Sequence, residues 1–225
     1  MIGLNRERKY VLRRYLLLMA GLSVMAFGVA FSIKADLGTS PISSVPYVVS
    51  LFAPLTVGTA TIVMHCVFIL LQILILRKDY HPIQLMQLPV AFFFGYLTDF
   101  GVWAVQGISY GSYWQQWILC LIGILLVAVG VSMEVKAGVV VLAGEGVVLA
   151  ICKVFPVKFG NMKVGFDVTL VATACVLSLL FTGRLQGVRE GTVAAALLVG
   201  QIAKRLGKLM ERWSLEEVEM DVKTK

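Results

Sequence analysis

Most ionisable residues of this chain lie between apolar runs, but a few stand inside them. Those few carry the chemical information. A charge at the centre of a bilayer helix costs ~2.5–3.5 kcal/mol on insertion scales. An ionisable residue kept there is therefore a candidate for solute or proton handling. Glu145 heads this set because it follows Ala143-Gly144 at the start of a short apolar segment. A carboxylate near a helix N-terminus is stabilised by the free N–H groups and the dipole. It can cap that helix, take up a proton, or meet a cationic solute. Asp167 stands mid-segment with Lys163 one turn earlier, so an ion pair competes with a binding role. His65 is also mid-segment and shares a helix face with Gly58, Thr61 and Gln72. Asp99 lies one turn after Gly95, close to a segment end where water would solvate it.

Thr39-Ser40-Pro41 opens another short apolar segment. Ser or Thr at N-cap with Pro at N1 is a helix-start signal. If that helix begins inside the membrane, its N–H groups face a cavity and attract anionic groups. Ser43 lies on its first turn. Lys34 and Lys136 end two long apolar runs, where they either snorkel to the interface or hold an anion. A third option pairs them with Asp36 and Glu134. The substrate-contact set is thus Glu145, Asp167, His65, Asp99, Thr39, Ser40, Ser43, Lys34 and Lys136.

Other chemistries lack their residues. The two histidines form no HExxH, so no metal site or cofactor is expected. The four cysteines stand singly inside apolar runs, which suits small core residues rather than redox pairs. There is no GxSxG elbow and no Gly-rich phosphate loop, so no enzymatic activity is expected.

The elements that position these residues follow from composition. The chain has 225 residues, 59% hydrophobic and 15% charged, with mean hydropathy +0.87. Soluble domains carry about 25% charged residues. The balance excludes a soluble enzyme domain, a disordered chain and a disulfide scaffold, and points to an all-α polytopic membrane protein. The net charge of +7 is concentrated at Arg6–Arg14 and Lys204–Arg212, flanking apolar runs. Such clusters face the cytoplasm and anionic lipid. Nothing else supports a nucleic-acid partner.

Shifted by 102 residues, the sequence meets itself. Gly21, Ala26, Gly28, Lys34, Ala35, Pro54 and Gly58 align with Gly123, Ala128, Gly130, Lys136, Ala137, Pro156 and Gly160. A shift of 105 then pairs Gly95 with Gly200. The chain divides into a basic N-terminus (1–13), a first membrane repeat (14–105), a connecting loop (106–114), a second repeat (115–206) and a C-terminal tail (207–225). Each repeat reads as three long spans plus one short segment, 41–53 or 143–155. Thirteen residues make a helix of about 20 Å, too short for ~30 Å of hydrocarbon. A re-entrant or broken helix is expected there. With six crossings, Arg77 and Lys78 fall inside with both termini, as the positive-inside rule prefers. Eight crossings are the alternative. Three spans per half make the second repeat inverted, the plan of many transporters.

The elements Leu37-Gly38-Thr39-Ser40-Pro41 and Arg189-Glu190-Gly191-Thr192, with Gly144-Glu145-Gly146, resemble the YczE/YyaS/YitT family of bacterial membrane proteins. The likeness covers most of residues 14–206. It implies a multi-pass protein of the bacterial inner membrane, often presumed to be a transporter, and supplies neither a substrate nor a catalytic residue. The expected function is transport of a small polar or charged solute, with proton coupling as an option. A channel and a non-transporting scaffold are the alternatives. The bilayer and a small-molecule solute are the expected partners, and self-association into a homo-oligomer is left open.

Overall fold

The computed structural model describes the backbone of residues 2–223 and the side chains of residues 11–210. Among the described residues it holds eight α-helices and no strand. They are α1 (Ile2–Ala35), α2 (Pro41–Phe52), α3 (Val57–Leu76), α4 (Gln87–Ala104), α5 (Tyr113–Ala137), α6 (Ala143–Val154), α7 (Phe159–Thr182) and α8 (Glu190–Lys223). Two 3-10 turns, Arg77–Asp79 and Pro82–Met86, join α3 to α4. Five helices (α1, α3, α4, α5 and α7) are long and apolar enough to cross a membrane. The sixth expected span, 191–206, is the apolar start of α8. There Lys204, Arg205 and Lys208 cut the apolar run short, while the helix itself continues through the expected boundary at residue 206. The basic N-terminus likewise is the start of α1, and the connecting loop shortens to residues 105–112.

Local chemistry sets the ends. Pro41 stands at the first turn of α2, where its missing N–H costs nothing. The Thr56 hydroxyl caps α3 by accepting the Thr59 N–H. Gly138 ends α5 at φ 55, a left-handed conformation that glycine adopts without a Cβ clash.

The repeat is visible in the packing. α1 lies antiparallel against α5, because Gly21 faces Gly130 while Gly28 faces Gly123. Each glycine lets the opposite backbone approach. A Cβ on Gly28 would meet the Val127 nitrogen at 2.6 Å, and one on Gly130 would meet the Gly21 carbonyl at 2.6 Å. The pairs exchange under the 102-residue shift, so a pseudo-two-fold axis runs between α1 and α5. Around it α4 packs on α1 as α8 packs on α5, and α2 packs on α7 as α6 packs on α3. One pairing breaks the symmetry: α3 packs closely on α4, but α7 makes no comparable contact with α8.

The short helices do not cross. Arg14 donates to the Ala137 carbonyl, so the start of α1's apolar run and the end of α5 share one face. Lys34 donates to the Gln106 carbonyl, so the end of α1 and the end of α4 share the other. Asp99, near the end of α4, binds Thr56 and Gly58 at the start of α3, so α2 ends toward the Lys34 face. Lys153, at the end of α6, reaches the Asp79 carbonyl beyond α3, so α6 ends toward the Arg14 face. Their starts meet in the middle, with Ile42 packed on Gly144. Those two residues exchange under the shift and so sit on the axis itself.

Candidate functional site

The residues flanking this junction form two groups, one from each repeat. On the first-repeat side, Ser40, Ser43, Thr61 and His65 line a cavity of about 30 Å3 together with Met25, Val127 and other apolar side chains. That is room for a water-sized group. His65 is only 2% exposed, and its Nδ1 has no hydrogen-bond partner among the described residues. Its ring sits between Phe68 and Phe94, at centroid distances of 6.3 and 6.2 Å. The Ser40 hydroxyl donates to Ser43 at 3.1 Å instead of capping the backbone, as its position at N-cap suggested. Thr39 is also buried with its hydroxyl unpartnered.

On the second-repeat side stand ionisable residues. Lys163 and Asp167 form an ion pair at 2.6 Å, one turn apart on α7, with side chains 29% and 23% exposed. Glu145, half-buried on the first turn of α6, lies within electrostatic reach of both. Glu134 is 3% exposed and accepts the Leu142 N–H, tethering the chain that leads into α6. Glu134, Glu145, Lys163 and Asp167 occupy the repeat positions of Ser32, Ser43, Thr61 and His65.

The remaining expected residues lie elsewhere and bond to the protein's own groups. Asp99 accepts from the Gly58 N–H at 2.7 Å and from the Thr56 hydroxyl at 2.6 Å, capping α3 from a neighbouring helix. Lys34 donates to the Gln106 carbonyl and Lys136 to the Met210 carbonyl, at 2.9 and 2.8 Å. The two bonds are similar though their acceptors are not matched by either shift: each lysine holds a carbonyl just beyond its repeat's third span. The alternative pairings of Lys34 with Asp36 and Lys136 with Glu134 are therefore not formed. Arg189 takes the place of Lys34 beside Asp36, and the Leu142 N–H the place of Lys136 at Glu134.

The two motifs that stood out in the sequence touch. The Gly191 N–H donates to the Leu37 carbonyl at 2.7 Å, and the Thr39 N–H to the Gly187 carbonyl at 3.2 Å. Arg189 donates to the Asp36 carbonyl at 2.7 Å. Gly38, at φ 91, packs against Thr192 where a side chain has no room. Residues 187–191 thus lie along residues 37–39, beyond the end of α1.

Residues 12–208 match a family described as being of unknown function, DUF6198. The chain belongs to the DUF6198 family. The match spans both repeats, so the family's unit is the duplicated body and not one half. No curated protein and no solved structure matches the chain.

Sequence reasoning missed one polar group. Gln72 and Gln87 are buried and exchange reciprocal amide bonds at 2.9 and 3.2 Å, and Gln72 also donates to the Ala143 carbonyl. Gln72 shares the His65 face, which was the available signal. Gln87 has no repeat mate of its type and sits at the start of α4, so nothing singled it out.

Proposed function

We propose that this protein is a bacterial inner-membrane transporter for a small polar solute, working as an alternating-access carrier and not as an enzyme. The observation that carries the reading is the head-to-head meeting of α2 and α6 on the pseudo-two-fold axis, beside a cavity holding an unpartnered imidazole. Half-helices meeting at the midplane between inverted repeats are how many carriers build a solute site. Extended backbone at such depth is tolerated where it is buried or lines a cavity. In this reading His65, Ser40 and Ser43 contact the solute, and Glu145 and Asp167 exchange protons with the Arg14 face. That face is cytoplasmic, which agrees with the basic clusters at both ends of the chain. Kinship with the YczE/YyaS/YitT proteins is part of the proposal, supported by the mutual contact of the two motifs that carry the likeness.

The test is flux. Purified protein in liposomes carrying an entrapped pH dye is challenged with amino acids, sugars, carboxylates and inorganic ions. At least one solute should exchange with saturation, and Glu145→Gln should abolish its proton coupling. A protein that moves neither solute nor protons across that panel overturns the proposal. Currents without saturation point to a channel instead. Lys78→Cys, in a cysteine-free background, should be modified only from the cytoplasm; modification from outside the cell reverses the orientation.

A further inference from the structure

The Arg14 face carries a second opening, a vestibule of about 240 Å3 between α3, α4 and α6. Its polar lining is the carboxamides of Gln72, Gln84 and Gln87, with Lys153 the one charged side chain. No carboxylate lines it. The Gln84 Oε1 is buried without a partner. One wall is the extended segment 139–141 between α5 and α6. Among the described residues no protein group hydrogen-bonds to the peptide groups of residues 139–141.

The other repeat shows what such a segment binds. Residues 37–39 are the repeat equivalents of 139–141, and there the peptide groups are paired. Leu37 accepts from the Gly191 N–H and Thr39 donates to the Gly187 carbonyl. A stretch of polypeptide, 187–191, lies on that edge. The residues equivalent to 187–191 under the 105-residue shift are 82–86. They form the Pro82–Met86 3-10 turn at the vestibule's rim, and none of their peptide groups bonds to residues 139–141. At the place of Gln72 the second repeat has Ala174, packed with Val48 and Val188. One edge is thus covered by the chain's own peptide groups and faced with apolar side chains. Its mate is uncovered and faced with amides.

We propose that the vestibule is a recognition site for a small amide-bearing anion. A peptide or carboxamide group of the ligand bonds the free edge at residues 139–141 and the Gln84 and Gln87 amides, and its anionic group faces Lys153. This names the solute class for the transport reading and rests on that reading for its role, though binding itself is measured without it.

N-acetylglycine is the probe, since it joins one peptide bond to one carboxylate. Glycinamide, which has the amide but carries a cation, and acetate, which has only the charge, are the controls. Thermal melting of the purified full chain should rise with N-acetylglycine concentration, as mass action requires, and at least tenfold higher concentrations of either control should be needed. Gln72→Leu/Gln87→Leu removes both partners of the amide pair together and should weaken binding by about tenfold. Lys153→Glu, an exposed change that keeps the fold whatever the double variant does, should reverse the order of N-acetylglycine and glycinamide. Equal response to the three probes, or an unchanged order in Lys153→Glu, overturns the site. Binding without flux in liposomes leaves the site standing and sinks transport. Flux of a solute whose transport ignores Lys153→Glu leaves transport standing and sinks the site.

Discussion

The two repeats share a backbone plan but not a chemistry. At four matched positions around the junction, the first repeat has Ser32, Ser43, Thr61 and His65, where the second has Glu134, Glu145, Lys163 and Asp167. Of the first set, Ser43, Thr61 and His65 line a cavity of about 30 Å3 together with Ser40. The second set is ionisable; Lys163 and Asp167 remain 29% and 23% exposed, while Glu134 is buried. The same division runs through the backbone. Residues 37–39 are covered by 187–191, while 139–141 line an open vestibule. Gly58 and Gly95 bring α3 and α4 into contact, while their mates Gly160 and Gly200 have nothing near them. Duplication supplies the scaffold, and divergence at matched positions leaves hydroxyls and an imidazole on one side of the junction and ionisable residues on the other.

The largest test of that comparison is steric. Gly28→Val forces a side chain into the backbone of α5, where the Val127 nitrogen would lie 2.6 Å from the new Cβ. A loss of about 3 kcal/mol or more is expected, seen as aggregated protein in size-exclusion chromatography. Gly200→Val meets open space and should change the melting temperature by an amount worth less than about 0.5 kcal/mol. Equal damage from both would mean that α7 and α8 close on each other as α3 and α4 do.

Exchange of the polar sets comes next. His65→Asp buries a carboxylate between Phe68 and Phe94 with no cation beside it, at a cost of about 3 kcal/mol by thermal unfolding. Asp167→His leaves Lys163 partly solvated and should cost about 1 kcal/mol. If the two exchanges cost the same, the halves are not as electrostatically distinct as their geometry implies. Asp99→Asn keeps the shape but weakens the bond to the Gly58 N–H, for about 1–2 kcal/mol.

Much of this plan was legible because hydrophobic length and repeat register are local signals. The 102-residue shift placed Gly21, Gly28, Gly123 and Gly130 in one stripe, and the stripe is the α1/α5 contact. The short segments were too short to span, and they end where their partners' loops lie. What was not legible depends on distant contacts. Asp99 reads as a solvated acid near a segment end until Gly58 is seen opposite it. Arg189 replaces Lys34 as the neighbour of Asp36 because a loop 153 residues away folds back. The continuity of α8 past residue 206 is not legible either, because a charged helix that continues past its apolar part carries no hydropathy signal.

The smallest expected effect bears on the lysines. Lys34 and Lys136 stand at the ends of α1 and α5, and each donates to a carbonyl near the end of the third span of its own repeat. A cation there complements the negative helix end for about 0.3–1 kcal/mol. Lys34→Met and Lys136→Met should therefore lower stability by similar small amounts and leave N-acetylglycine binding unchanged. Similar losses would mark the one pair of charged mates whose job survived duplication. A selective loss of binding in Lys136→Met would instead move that residue into the solute path of the ionisable half, and would extend the divergence of the repeats to their ends.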